Sequence, residues 1–193
     1  MLLHGLGADE HDLMGLSREL DPRLLVVTLR APLDYGNGGY AWFEVAWEAT
    51  GIRANSEQAL ASRDLVLEVL KGLPEQLGIK PSKLILGGFS QGAIMSLGVT
   101  SSEPDLLSGV ILLSGRPLPE FVGGVKPEGF NKVPFYVQHG ILDQVLPVSG
   151  GREIKRILEG EGAQVTYHEY PMGHEINEDS LHDLSDWIST QLG

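Results

Sequence analysis

The chain contains no cysteine. That removes disulfides, thiolate-bound zinc and every cysteine nucleophile at once. Positive charge is scarce. The 14 Lys and Arg are outnumbered by 26 Asp and Glu, leaving a net charge of −12. Nucleic acids and anionic membranes are held largely through Lys and Arg, so neither is an expected partner. No run approaches the roughly 18 consecutive apolar residues of a membrane span, so stable membrane insertion is not expected. The opening residues, Met1-Leu2-Leu3-His4-Gly5, hold neither a basic cluster nor a long apolar stretch. They do not read as a signal peptide, and a cytoplasmic location is the expectation. No linker, repeat or charge block divides the 193 residues. That length carries one full core but not two, so residues 1–193 are expected to form a single domain.

What is present is a regular alternation of apolar runs and helical stretches. Leu2-Leu3, Leu24–Leu29, Lys83–Leu86, Gly109–Leu113, Val133–Gln138 and Gln164–Tyr170 read as strands. Continuous apolar runs of this kind belong to strands buried on both faces. Helices are expected over His11–Leu20, from Ser56 onward, over Gln91–Ser102, over Arg152–Glu159 and at the end of the chain. Ser56 reads as the N-cap of the second, with Ala59, Val66, Leu70, Leu73 and Leu77 on one face and a kink or restart at Pro74. Ala31 to Ile52 shows no clear period and reads as a long irregular segment. The predicted class is α/β: about six mostly parallel strands, helices on both faces, and no insertion long enough for a lid.

In such sheets functional residues gather in loops after the strands' C-terminal ends. Gly88-Phe89-Ser90-Gln91-Gly92 is a G-x-S-x-G sequence between a buried strand and a helix. A turn this sharp strains the serine backbone, exposes its Oγ above the sheet and needs glycines where backbones meet. Without that context the pattern would be an ordinary tight turn. His4-Gly5-Leu6-Gly7-Ala8-Asp9 follows the first strand. Its glycines free backbone N–H groups, and those of Leu6 and Gln91 could together receive a developing oxyanion. His4 itself reads as structural.

Asp143 lies in the loop after the fifth strand and is the best placed acid to orient a histidine. Asp64 and Asp186 read as solvated helix positions, and Asp21 precedes Pro22 at a helix end. His174 lies on the last loop, beside Gly173. His168 falls in a strand, His182 on a helix and His11 at a helix start. No tight histidine pair is present, so no metal is expected. The chain order Ser90, Asp143, His174 is that of nucleophile, acid and base on an α/β-hydrolase sheet.

These residues, with the Phe-Ser-Gln-Gly elbow, His139-Gly140, Pro147, Ala31-Pro32 and Trp42-Phe43-Glu44, resemble the phospholipase/carboxylesterase family of small α/β-hydrolases. Acyl-protein thioesterases, lysophospholipases and bacterial carboxylesterases belong to it. The family commonly has Asp where this chain has Glu44. It also usually carries a further stretch before the His-Gly-Leu-Gly loop, forming edge strands. Here only Met1 to Leu3 precede that loop, and Leu24–Leu29 is expected at the sheet edge. An unpaired edge is a place for instability or for pairing with another chain.

By that resemblance Ser90 is the nucleophile, His174 the base and then acid, and Asp143 the orienting carboxylate. Leu6 and Gln91 form the oxyanion hole, and no cofactor is required. Some members are homodimers, so self-pairing is among the expectations. The expected partner is a small-molecule ester. The expected activity is hydrolysis of short- to medium-chain carboxylic esters. Acyl-protein thioester or lysophospholipid hydrolysis is the alternative, and a non-catalytic binding protein on this scaffold is a further one. Trp42, Phe43, Leu146 and Met172 are the expected substrate-lining residues.

Overall fold

The computed structural model describes residues 1–48, 51–122 and 130–193. The strand-helix alternation assembles as expected. In chain order the elements begin with β1 (Leu2–Leu3) and a 3₁₀ turn over Leu13–Arg18, then β2 (Thr28–Leu29). Two hairpins follow, β3 (Leu33–Gly36) with β4 (Gly39–Ala41), and β5 (Val45–Glu48) with β6 (Gly51–Ala54). Then come α1 (Ser56–Gln76), β7 (Ile85–Phe89), α2 (Gln91–Ser102), β8 (Gly109–Leu113) and α3 (Pro119–Val122). The chain ends with β9 (Phe135–Gly140), α4 (Ser149–Gly160), β10 (Val165–Tyr170) and α5 (Glu178–Leu192).

Six strands form one sheet in the order β10-β9-β8-β7-β1-β2, and every pairing in it is parallel. Successive side chains point to opposite faces of a strand. Val110 and Leu112 of β8, with Phe135 and Val137 of β9, therefore enter the core beneath α1, α2 and α4. Ile111, Leu113 and Tyr136 face the other way, onto Leu184, Trp187 and Ile188 of α5. Helices thus cover both faces. Among the described residues no helix is long and apolar enough to cross a membrane.

Several expectations need correcting. The run Leu24–Leu29 yields a strand of only Thr28 and Leu29, at the outer edge of the sheet. Apolar composition does not make a strand where no neighbour supplies a ladder, and Leu25 is 61% exposed. His11–Leu20 forms a six-residue 3₁₀ turn rather than an α-helix, with Gly15 inside it; glycine weakens helical propagation. The N-cap of α1 is Asn55, whose side chain accepts from the Gln58 N–H, rather than Ser56. Pro74 sits within α1, two residues before its end, and closes it rather than restarting it. The segment expected to be irregular holds both hairpins. Asn37 and Gly38 have φ of 52° and 81°, the positive values that tight antiparallel turns require.

Candidate active site

β7 ends at Phe89 and α2 begins at Gln91, so Ser90 alone makes the turn between them. Its φ of 55° and ψ of −116° lie where a side-chain-bearing residue is strained. The surroundings hold it there. Ser90 N–H donates to the Leu113 carbonyl at 2.8 Å, and the Ser90 carbonyl accepts from Ala93 N–H at 3.0 Å. The turn also closes so tightly that a Cβ on Gly92 would sit 1.9 Å from the Leu3 carbonyl oxygen. One on Gly88 would sit 2.3 Å from the Gly92 backbone.

The loops after β9 and β10 bring the other two groups to this serine. Gly140 allows the contact between them, since a Cβ there would meet the Gly173 carbonyl at 2.2 Å. His174 Nε2 lies 2.8 Å from Ser90 Oγ, and His174 Nδ1 lies 2.6 Å from Asp143 Oδ2. The other oxygen of Asp143 accepts from the N–H groups of Val145 and Leu146, at 2.9 and 2.8 Å. A carboxylate fixed this way accepts the Nδ1–H of His174, which leaves Nε2 free to accept the serine proton. The Phe89 ring, with its centroid 4.8 Å from that of His174, packs against the imidazole. Such a chain of groups can activate a hydroxyl for attack on a carbonyl.

A second histidine faces the same carboxylate. His139 Nε2 donates to the Leu146 carbonyl at 2.7 Å and lies 3.3 Å from Asp143 Oδ2. Its ring is fully buried and its Nδ1 has no partner among the described residues. Burial holds the His139 pKa below its ordinary value, with the Asp143 charge opposing that shift more weakly. The imidazole is therefore neutral at pH 7 and braces Asp143 without adding a charge.

The loop after β1 is clamped from outside. Gly7 N–H donates to the Tyr40 carbonyl at 2.9 Å, and Tyr40 N–H donates to Ala8 at 2.8 Å. Beneath it, His4 is buried, as expected of a structural residue. Its Nδ1 donates to the Gly5 carbonyl and its Nε2 accepts from Ala31 N–H. The N–H groups of Leu6 and Gln91 have no hydrogen-bond partner among the described residues. Gln91 is the first residue of α2, where N–H groups are unpaired by construction. The Gln91 side chain is occupied elsewhere, accepting from Trp42 N–H and donating to the Phe43 carbonyl, both at 2.7 Å.

A cleft of about 150 Å³ opens beside Ser90 and His174. Leu6, Phe43, Val45, Ile52, Ile94 and Leu146 give it apolar walls, and Arg116 adds a charge. Phe43 and Leu146 thus stand where they were expected, whereas Trp42 and Met172 do not line it. Trp42 is buried, its Nε1–H donating to the His4 carbonyl at 2.9 Å, so it anchors the loop instead. Met172 is also buried, and its carbonyl accepts from Leu142 N–H. Val45, Ile52, Ile94 and Arg116 were not singled out from the sequence. Arg116 had a readable signal, its place just after β8. A larger hollow of about 310 Å³ lies at the opposite ends of β1 and β7, against Leu24, Leu73 and Ile79. It contains none of Ser90, Asp143 or His174.

Comparison with known proteins bears on this site. The family model described as Phospholipase/Carboxylesterase matches residues 1–192. Acyl-protein thioesterase 1 of Saccharomyces cerevisiae is 30% identical over 166 residues, covering 81% of this chain and 72% of the yeast protein. Lysophospholipase-like protein 1 of Mus musculus is 32% identical over 148 residues, covering 73% of this chain and 62% of the mouse protein. Among solved structures, the esterase PE8 superposes with a TM-score of 0.78 at 31% identity, covering 98% of this chain and 90% of its own.

Proposed function

The chain belongs to the phospholipase/carboxylesterase family and has the α/β-hydrolase fold, and from that premise we propose that it is a serine carboxylesterase acting on short- to medium-chain esters. The observation that carries this reading is the unbroken path Ser90 Oγ, His174, Asp143, with bonds of 2.8 and 2.6 Å. Ser90 Oγ attacks the ester carbonyl carbon while its proton passes to His174 Nε2. Asp143 steadies the imidazolium that forms. The free N–H groups of Leu6 and Gln91 receive the oxyanion of the tetrahedral intermediate. That intermediate collapses as the C–O bond to the alcohol breaks, and His174 protonates the departing oxygen. Water, deprotonated by His174, then cleaves the acyl-enzyme and regenerates Ser90. No cofactor enters this sequence.

The cleft supports a short acyl group. At about 150 Å³ it is well below the ~300–1,000 Å³ usual for drug-sized ligands. The names of the yeast and mouse relatives support a second reading, hydrolysis of acyl-protein thioesters or lysophospholipids by the same machinery. An activity profile over p-nitrophenyl esters from acetate to palmitate, with an acyl thioester beside them, separates the two. The first reading expects a maximum at short to medium chains and weak thioester turnover. A maximum at palmitate, or faster thioester cleavage, would overturn it. Ser90→Ala should lower kcat by about 10⁶ by analogy with serine proteases.

A further inference from the structure

Arg116 supplies the one permanent charge among the described residues lining the cleft, and it stands there with little to occupy it. A guanidinium carries five N–H donors. Here one bond is found among the described residues, from Nη2 to the Ile52 carbonyl at 3.0 Å. The carboxylate whose charge it feels is Glu120, and that group is itself bonded to Ser56 Oγ. No ion pair within reach ties Arg116 to any described acid. Partial burial pushes the guanidinium pKa down from its ordinary value, and the Glu120 charge opposes that shift more weakly.

The neighbouring backbone adds to this field. The first turn of α4 packs on the stem of Arg116, since a Cβ on Gly150 would lie 2.9 Å from Arg116 Cβ. That turn has no acidic residue and no capping side chain. Gly150 N–H donates to the Pro147 carbonyl at 2.8 Å and Arg152 N–H to the Val148 carbonyl at 3.1 Å, so the turn is closed by backbone alone and keeps the positive polarity of a helix start. Elsewhere the molecule repels anions, with a net charge of −12. A cation beside the reacting serine reverses that sign locally.

We propose that Arg116 recognises a carboxylate on the substrate, so that the preferred esters are half-esters of small dicarboxylic acids. This rests on the esterase reading and sharpens it to a substrate class. The planar guanidinium matches a carboxylate with two parallel bonds, and the low local dielectric strengthens the pair. A cleft of about 150 Å³ suits a short chain ending in a carboxylate. The reacting atoms are unchanged: the carboxylate binds, and the ester at the other end of the chain is cleaved.

The test compares p-nitrophenyl hydrogen adipate with p-nitrophenyl methyl adipate, which differ by one charge at nearly equal length. The quantity read is the acid-to-methyl-ester ratio of kcat/KM. Wild type should favour the acid, and Arg116→Gln should lower the ratio about 10- to 100-fold, the range of a hydrogen bond to a charged group. Arg116→Lys should restore part of it. If Arg116 serves only to hold β6 through Ile52, both esters lose rate together and the ratio stays put, which overturns the proposal. A wild type that cleaves the methyl ester but does not favour the acid overturns it too, leaving the esterase reading intact. If neither ester is cleaved and a fluorophosphonate does not label Ser90, both readings fall.

Discussion

β7, β8, β9 and β10 pair with one another over four to six residues, whereas β1 pairs with β7 and with β2 over two residues each. Ser90, Asp143 and His174 all emerge from the deeply paired half, after β7, β9 and β10. The thin flank brings one N–H, that of Leu6, and the wall of the cleft. It does so with side-chain pins where ladder bonds are few. His4 holds Ala31, Trp42 holds His4, and Ser62 Oγ donates to the Trp42 carbonyl. Gln91 reaches across from α2 to bind Trp42 and Phe43. The difference shows how the labour is divided. Under the proposed function, the groups that move protons follow strands with long ladders, and the side that meets substrate is assembled from short hairpins fixed by buried polar bonds.

The sharpest way to break this arrangement is where the halves meet. Gly92→Ala places a methyl group 1.9 Å from the Leu3 carbonyl, a backbone atom that cannot swing aside. Overpacking against backbone should cost about 3 kcal/mol or more and remove esterase activity. Urea unfolding reads the loss directly, and an unchanged midpoint would mean that α2 and β1 are not in this contact.

A smaller effect is expected at His139, in the deep half. Its folded pKa lies below its ordinary value of 6.5 because the ring is buried. The unfolded chain therefore takes up this proton first as the pH falls. The neutral ring costs nothing above about pH 6.5, and stability declines as pH drops from there toward the lowered folded value. His139→Gln removes that contribution. Melting temperatures of the two proteins, followed from pH 7 to 5, should converge as wild type loses stability faster. Asp143, His174 and Glu169 surround the ring and remain in both proteins, so the difference isolates His139. Parallel curves would contradict the assignment.

The smallest effect belongs to the thin edge. Leu25 is 61% exposed, and Leu25→Lys should change stability by no more than about 0.5 kcal/mol while leaving ester turnover intact. A large loss in denaturant unfolding would show that this edge is covered.

The same contrast separates what could be read in the sequence from what could not. The deep half was legible because a strand buried on both faces is an unbroken apolar run. The positional rule for its loops then selected Ser90, Asp143 and His174 from among 14 Ser, 10 Asp and 6 His. The thin flank was not. Leu24–Leu29 has a strand's composition, but only Thr28 and Leu29 pair in register with β1. The hairpins carry too few residues for a period to show, although Asn37-Gly38 was a usable turn signal. Trp42 and Phe43 are adjacent aromatics of like composition, yet one anchors a loop and the other lines the cleft. That choice was made by the His4 carbonyl, which receives the indole N–H. Arg116 occupies a loop of the same kind, just after β8, but a lone arginine there belongs to no motif that marks it.

The most direct test of the account is intact-mass analysis after treatment with a fluorophosphonate. The account predicts one adduct per chain, mapped to Ser90, absent from Ser90→Ala and formed far more slowly in His174→Ala. No adduct in the folded protein, or an adduct on another residue, would contradict it.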